Sequence, residues 1–84
     1  MNIRVQCFGA MRDYLPPEAV DNHVTLQLDA GSTVAGVLET LGAPARLAHW
    51  ILIDGSRVGL DSPLFEGAEV TLMPPFTGGA QARS

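Results

Sequence analysis

The chain has 84 residues, a net charge of −4 and a hydrophobic fraction of 46%. That is room for one folded domain, which at this size buries only roughly 60–65% of the surface its unfolded chain exposes. All its positive charge is arginine and no basic run exists, so nucleic-acid binding has little support; the acidic balance would suit a basic protein partner, but it is common in soluble proteins and that is the simpler account.

The first element covers residues 2–8. Ile3, Val5 and Cys7 alternate with Asn2, Arg4 and Gln6, the mark of a half-buried strand. The opening residues form no apolar signal segment. Cys7 is the only cysteine, so no internal disulfide forms, and the cytoplasm is the expected compartment. Cys7 has the inward phase of its strand and reads as a small core residue. Ala10 to Leu15 make a short connection, and Pro16-Pro17 marks a loop.

Val24, Leu26 and Leu28 alternate with Thr25, Gln27 and Asp29, giving a second strand. It follows closely enough to pair with the first as a hairpin. Ser32 or Thr33 then supplies a side-chain oxygen that suits a helix N-cap. Val34, Val37, Leu38 and Leu41 form one apolar stripe at helical spacing, and Gly42 is the stop. A helix this short is marginal alone and needs a sheet to pack on.

Residues 43–49 are a linker or a weak helical turn. Trp50 to Ile53 is an apolar run of buried-strand length, reversed at Asp54-Gly55. Further turns are expected at Asp61-Ser62-Pro63 and Glu66-Gly67. Val70, Leu72 and Met73 belong to the last strand, which Pro74-Pro75 ends.

This order makes an α+β domain. The arrangement expected is a β-grasp, ubiquitin-like fold over residues 1–75. It has a mixed sheet of four to five strands, the terminal strands adjacent in its middle and one main helix packed across it. Residues 76–84 are expected to be a flexible tail. No apolar run reaches membrane-spanning length. His23 and His49 have no partner at metal-ligand spacing, and no metal site is expected. Nor is there a Ser/His/Asp or Cys/His pattern, so the chain does not read as an enzyme.

The segment Met73-Pro-Pro-Phe-Thr-Gly-Gly79 carries the most chemistry. Its prolines favour an extended course away from the body. From Pro74 to Gly79 the tail reaches roughly 20 Å when fully extended. Gly78 and Gly79 give it a slim tip that enters a narrow active site where a Cβ would clash. A Gly-Gly pair by itself reads more readily as an ordinary loop with no role, since glycine is common.

Three stretches resemble the MoaD/ThiS family of sulfur carriers, most nearly the small subunit of molybdopterin synthase. Val5-Gln-Cys-Phe-Gly-Ala-Met-Arg-Asp-Tyr-Leu15 is similar to the family's first strand and the segment after it. Asp61-Ser-Pro-Leu-Phe-Glu-Gly-Ala-Glu-Val70 is similar to its D-x-P-L-x-x-G-D-E-V approach to the last strand. Pro74-Pro-Phe-Thr-Gly-Gly79 is close to its P-P-V-x-G-G ending. The resemblance implies a β-grasp fold and a carrier whose Gly79 carboxylate is activated, first as an acyl-adenylate and then as a thiocarboxylate. Pro74, Pro75, Phe76, Thr77 and Gly78 would form the tail that presents it.

The partners so implied are an adenylating, ubiquitin-activating-like enzyme that uses ATP and a large synthase subunit or other sulfur-acceptor enzyme. The carrier itself binds no cofactor. The pathway implied is molybdenum-cofactor biosynthesis. Thiamine, cysteine or a secondary metabolite are alternative destinations for the sulfur, and a β-grasp protein-binding or modifier module that keeps its C-terminal extension is a third reading. Ala80 to Ser84 follow Gly79, so the carrier reading also needs a processing peptidase. Phe8, Met73 and Phe76 are expected to form an apolar docking patch near the tail root, with ordinary sheet packing as the alternative for Phe8 and Met73. Arg12 is a further docking candidate, with an exposed salt link to Asp13 as the simpler account.

Overall fold

The computed structural model describes residues 1–75. Five strands form one mixed sheet: β1 (Asn2–Cys7), β2 (His23–Gln27), β3 (Trp50–Ile53), β4 (Ser56–Arg57) and β5 (Glu69–Met73). Their spatial order is β2-β1-β5-β3-β4. One α-helix, α1 (Val34–Leu41), and two 3-10 helices, Gly9–Tyr14 and Ala45–Leu47, complete the elements.

The terminal strands lie together at the centre, as expected. β1 and β5 run parallel, with Arg4 opposite Glu69 and Cys7 opposite Leu72. β1 pairs antiparallel with β2, and β5 antiparallel with β3. This sheet with one main helix is a ubiquitin-like β-grasp.

The period of two in each strand divides the sheet into two faces. Ile3, Val5, Cys7, Val70, Leu72, Ile51 and Ile53 form the covered face, all buried. Val34, Val37 and Leu38 of α1 join them in one core, with Met11 from the first 3-10 helix. The apolar stripe seen in the sequence is thus the packed side of α1. The helix ends at Gly42, whose φ of 74° is left-handed. Ala43 N–H then reaches back to the Leu38 carbonyl at 3.0 Å, a Schellman-type closure.

The start of α1 differs from expectation. Thr33 holds the N-cap position but makes no side-chain capping bond. Main-chain carbonyls take that role: Val34 N–H donates to Ser62 O at 3.1 Å and Ala35 N–H to Leu60 O at 2.9 Å. Leu64 N–H returns a bond to Ser32 O. The segment that carries Asp61-Ser-Pro-Leu64 is therefore the helix cap, and it satisfies the orphan donors of the first turn.

Trp50 to Ile53 also departs from a uniformly buried run. Ile51 and Ile53 face the core, while Trp50 and Leu52 are half-buried on the opposite face. The reversal at Asp54-Gly55 places both residues at positive φ, 49° and 87°, as a two-residue hairpin turn requires. Asp54 Oδ1 also accepts the Glu69 N–H at 3.0 Å, extending the β3–β5 ladder by one side-chain bond.

Candidate docking face and tail root

The face of the sheet away from α1 is left uncovered by the elements described. Its composition is graded. At one end Arg4 and Glu69 form an ion pair at 2.8 Å, both side chains more than half exposed. Gln6, Thr71 and Leu52 come next across the three central strands, Thr71 being opposite both others. The far end is apolar. Met73 stands opposite Trp50 in the β3–β5 ladder. One step beyond the last β1–β5 pair lies Phe8, whose N–H donates to Leu72 O at 3.0 Å. Phe8, Met73 and Trp50 thus form a row across three strands.

Phe8 is 38% exposed and Met73 half-buried. The Arg57 guanidinium sits 3.7 Å from the centre of the Trp50 ring, and His49 meets that ring edge-on. The Arg57 contact is a cation–π pair, worth about 0.5–1 kcal/mol at an exposed site. It fixes the guanidinium over one face of the half-buried indole.

The same end of the sheet is the tail root. β5 finishes at Met73 and Pro74 follows at once. Gly9, with φ of 56°, lies against the Pro74 ring. Arg12 donates from Nε to Gly9 O at 3.2 Å, which places its guanidinium beside the root. The expected Arg12–Asp13 salt link is not formed among the described residues. In its 3-10 helix Arg12 turns back to the Gly9 carbonyl instead, and the one ion pair found among those residues joins Arg4 to Glu69.

Of the residues expected in the docking patch, Phe8 and Met73 are neighbours, and Pro74 and Pro75 continue from them. Phe76, Thr77, Gly78 and Gly79 lie outside the described residues. Sequence reading missed Trp50, Leu52 and Arg57. In Trp-Ile-Leu-Ile every residue is apolar, so alternation is invisible. The signal lies in the partner strand: pairing Ile51 with Leu72 and Ile53 with Val70 forces Trp50 and Leu52 outward.

Cys7 is fully buried, and desolvation pushes its thiol from 9.0 up to about 11. That environment keeps sulfur protonated and inert. His23 Nδ1 lies 2.8 Å from Asp21 O, and no cluster of three metal-ligating side chains occurs among the described residues. No helix described is long and apolar enough to cross a membrane.

Comparison with known proteins agrees with this architecture. The family model described as Mut7-C ubiquitin matches residues 1–79. No curated protein matches the chain. Among solved structures, SAMP1 from Haloferax volcanii is similar at 22% identity and a TM-score of 0.69, over 94% of this chain and 100% of that one. A second structure of this small archaeal modifier protein 1 gives 22% and 0.66, over 88% and 97%. A candidate molybdopterin converting factor, subunit 1, from Pyrococcus furiosus gives 19% and 0.64, over 88% and 97%. At these identities the structural likeness is one of fold.

Proposed function

The chain belongs to the Mut7-C ubiquitin family, and from that premise we propose that it is a sulfur carrier whose reacting group is the carboxylate of Gly79. The observation that carries the reading is the apolar row Phe8–Met73–Trp50 set directly at the root of the Pro-Pro-Phe-Thr-Gly-Gly segment. A carrier needs a recognition surface and a slim reactive tip on one continuous path. The family match also closes at Gly79.

The chemistry belongs to the partners. A Gly79 carboxylate oxygen attacks the α-phosphorus of ATP and pyrophosphate leaves. Hydrosulfide then attacks the acyl carbon and displaces AMP, leaving a thiocarboxylate. A poor acyl leaving group is thereby exchanged for a good one. Gly79 gains its free carboxylate only when a peptidase has removed residues 80–84. An activating enzyme would grip the apolar row, Arg12 adding a charged contact at its edge. Molybdopterin synthesis is the destination we favour, since the Pro-Pro-x-x-Gly-Gly ending is most similar to that branch and one fold relative bears a molybdopterin name.

The test is incubation of the Gly79-ending chain with ATP, a cognate activating enzyme and hydrosulfide. Intact mass should rise by one oxygen-to-sulfur exchange. An unchanged mass with an enzyme active on its own carrier sinks the proposal. The likeness to a small archaeal modifier protein favours a second reading, attachment to other proteins. Lysine-linked adducts in the same incubation would select it. With no lysine of its own, the chain cannot be extended by lysine linkage to further copies.

A further inference from the structure

The outer edge of β2 lies two strands away from β5, on the far side of β1. β2 ends the sheet on that side. Cys7 N–H donates to Asn22 O at 3.0 Å, and Leu28 N–H to Met1 O at 2.9 Å. Even-numbered positions of this stretch therefore turn their main-chain groups toward β1. His23, Thr25 and Gln27 turn theirs outward. His23 is already used, since it exchanges two bonds of 2.9 Å with Val20. Thr25 and Gln27 follow on an edge with no strand beyond it among the described residues.

A hollow flanks this edge on each face of the sheet. On the helix side one of about 300 Å³ is walled by Tyr14, Pro16, Leu26 and Leu41. On the other side one of about 640 Å³ is walled by Val20, Asp21, His23 and Thr25. Glu18 lines both. A strand laid along β2 sends alternate side chains to opposite faces, so its residues would enter the two hollows in turn.

The charges select the occupant. Glu18 and Asp21 have no ion-pair partner among the described residues, whereas Arg4, on the rim of the larger hollow, is held by Glu69 at 2.8 Å. The larger hollow is therefore acidic, in a chain of net charge −4, and the smaller is mainly apolar. We propose that the β2 edge takes an extended segment of a partner protein as a sixth strand. Apolar residues of that segment would enter the helix side and alternating basic residues the acidic side. The proposal rests on edge geometry and charge alone, so it stands or falls separately from the carrier reading.

The test uses the full ¹⁵N-labelled chain and a blocked peptide with the core Val-Arg-Val-Arg-Val. Saturable amide shifts centred on Thr25 and Gln27 are expected, with hydrogen exchange at those two amides slowed about tenfold or more. Replacing each Arg by Glu, or N-methylating the peptide nitrogens that face β2, should weaken binding at least about tenfold. Glu18→Lys, an exposed change, should weaken the Arg peptide and favour the Glu peptide. Equal affinity of the Glu or N-methyl peptides overturns the proposal. So do shifts centred on Phe8, Met73 and Trp50, or no saturable shift at millimolar peptide. Concentration-dependent shifts at Thr25 and Gln27 without peptide would overturn it in favour of a second copy of this chain.

Discussion

Gly9 and Pro74 are in contact so close that a Cβ on Gly9 would lie 2.9 Å from the Pro74 Cγ. Gly9 follows β1 and Pro74 follows β5, so this contact joins the ends of the two central strands where the tail begins. Gly9 also has a φ of 56°, a conformation that side chains resist. Two separate physical demands therefore fall on one residue.

Gly9→Ala should cost about 2 kcal/mol, roughly half from the left-handed backbone and the rest from displacing the proline ring. Gly42→Ala is the control. Gly42 has a φ of 74° but nothing within 4 Å of the place a methyl group would take, so it should cost only about 1 kcal/mol. Urea unfolding of both variants measures the difference. Equal losses would show that the Pro74 contact carries no energy. Amide shifts of Met73 should move in the Gly9 variant alone.

The apolar row gives a prediction that separates docking from folding. Phe8 is 38% exposed and belongs to the sheet face away from the core. Phe8→Asp should lower stability by about 1 kcal/mol or less. Affinity for an activating enzyme should fall at least about tenfold, as expected when an aromatic anchor is lost. Arg57→Ala removes the cation that braces the Trp50 ring and should have a smaller effect, about threefold. Calorimetric titration measures both. Full affinity in the Phe8 variant would remove this face from the docking surface.

Asp54 holds two jobs in the β3–β4 turn. Its φ is 49°, and its Oδ1 accepts the Glu69 N–H at 3.0 Å. Asn keeps both the left-handed tolerance and an acceptor oxygen, so Asp54→Asn should be neutral within about 0.5 kcal/mol. Asp54→Ala loses both and should cost about 1–2 kcal/mol. Chemical denaturation ranks the pair, and an Asn variant as weak as the Ala variant would show that the charge matters instead.

Most of the fold was legible in the sequence because its signals are local. Ile3, Val5 and Cys7 alternate, Val34, Val37, Leu38 and Leu41 share a helical stripe, and Gly42 and Asp54-Gly55 mark reversals. What escaped was set by tertiary pairing. The N-terminal cap of α1 comes from the carbonyls of Leu60 and Ser62, far downstream of Thr33, which has the side chain of a cap but not the bond. The outward phase of Trp50 and Leu52 is fixed by β5, not by their own neighbours. Arg12 reaches the tail root through Gly9 O rather than pairing with Asp13, a choice made by the fold of its 3-10 helix. The open edge of β2 is likewise a property of strand order, which no single strand encodes.

Cys7 offers a prediction whose sign follows from its burial. The folded chain holds the thiol proton up to about pH 11, whereas the ordinary thiol value is 9.0. Between these two pH values the unfolded chain has released the proton and the folded chain has not. The unfolded state then binds fewer protons, so stability falls as pH rises. Below about pH 9 both states hold the proton and this residue contributes no slope. Unfolding free energies of the natural chain and Cys7→Ala should therefore converge between pH 9 and pH 11, as the natural chain loses stability faster. Groups common to both chains cancel in the difference. At pH 8 a thiol-reactive disulfide should label Cys7 only after denaturant is added. Parallel stability curves, together with fast labelling of the folded chain, would place the thiol in contact with water and contradict its buried position opposite Leu72 in the core.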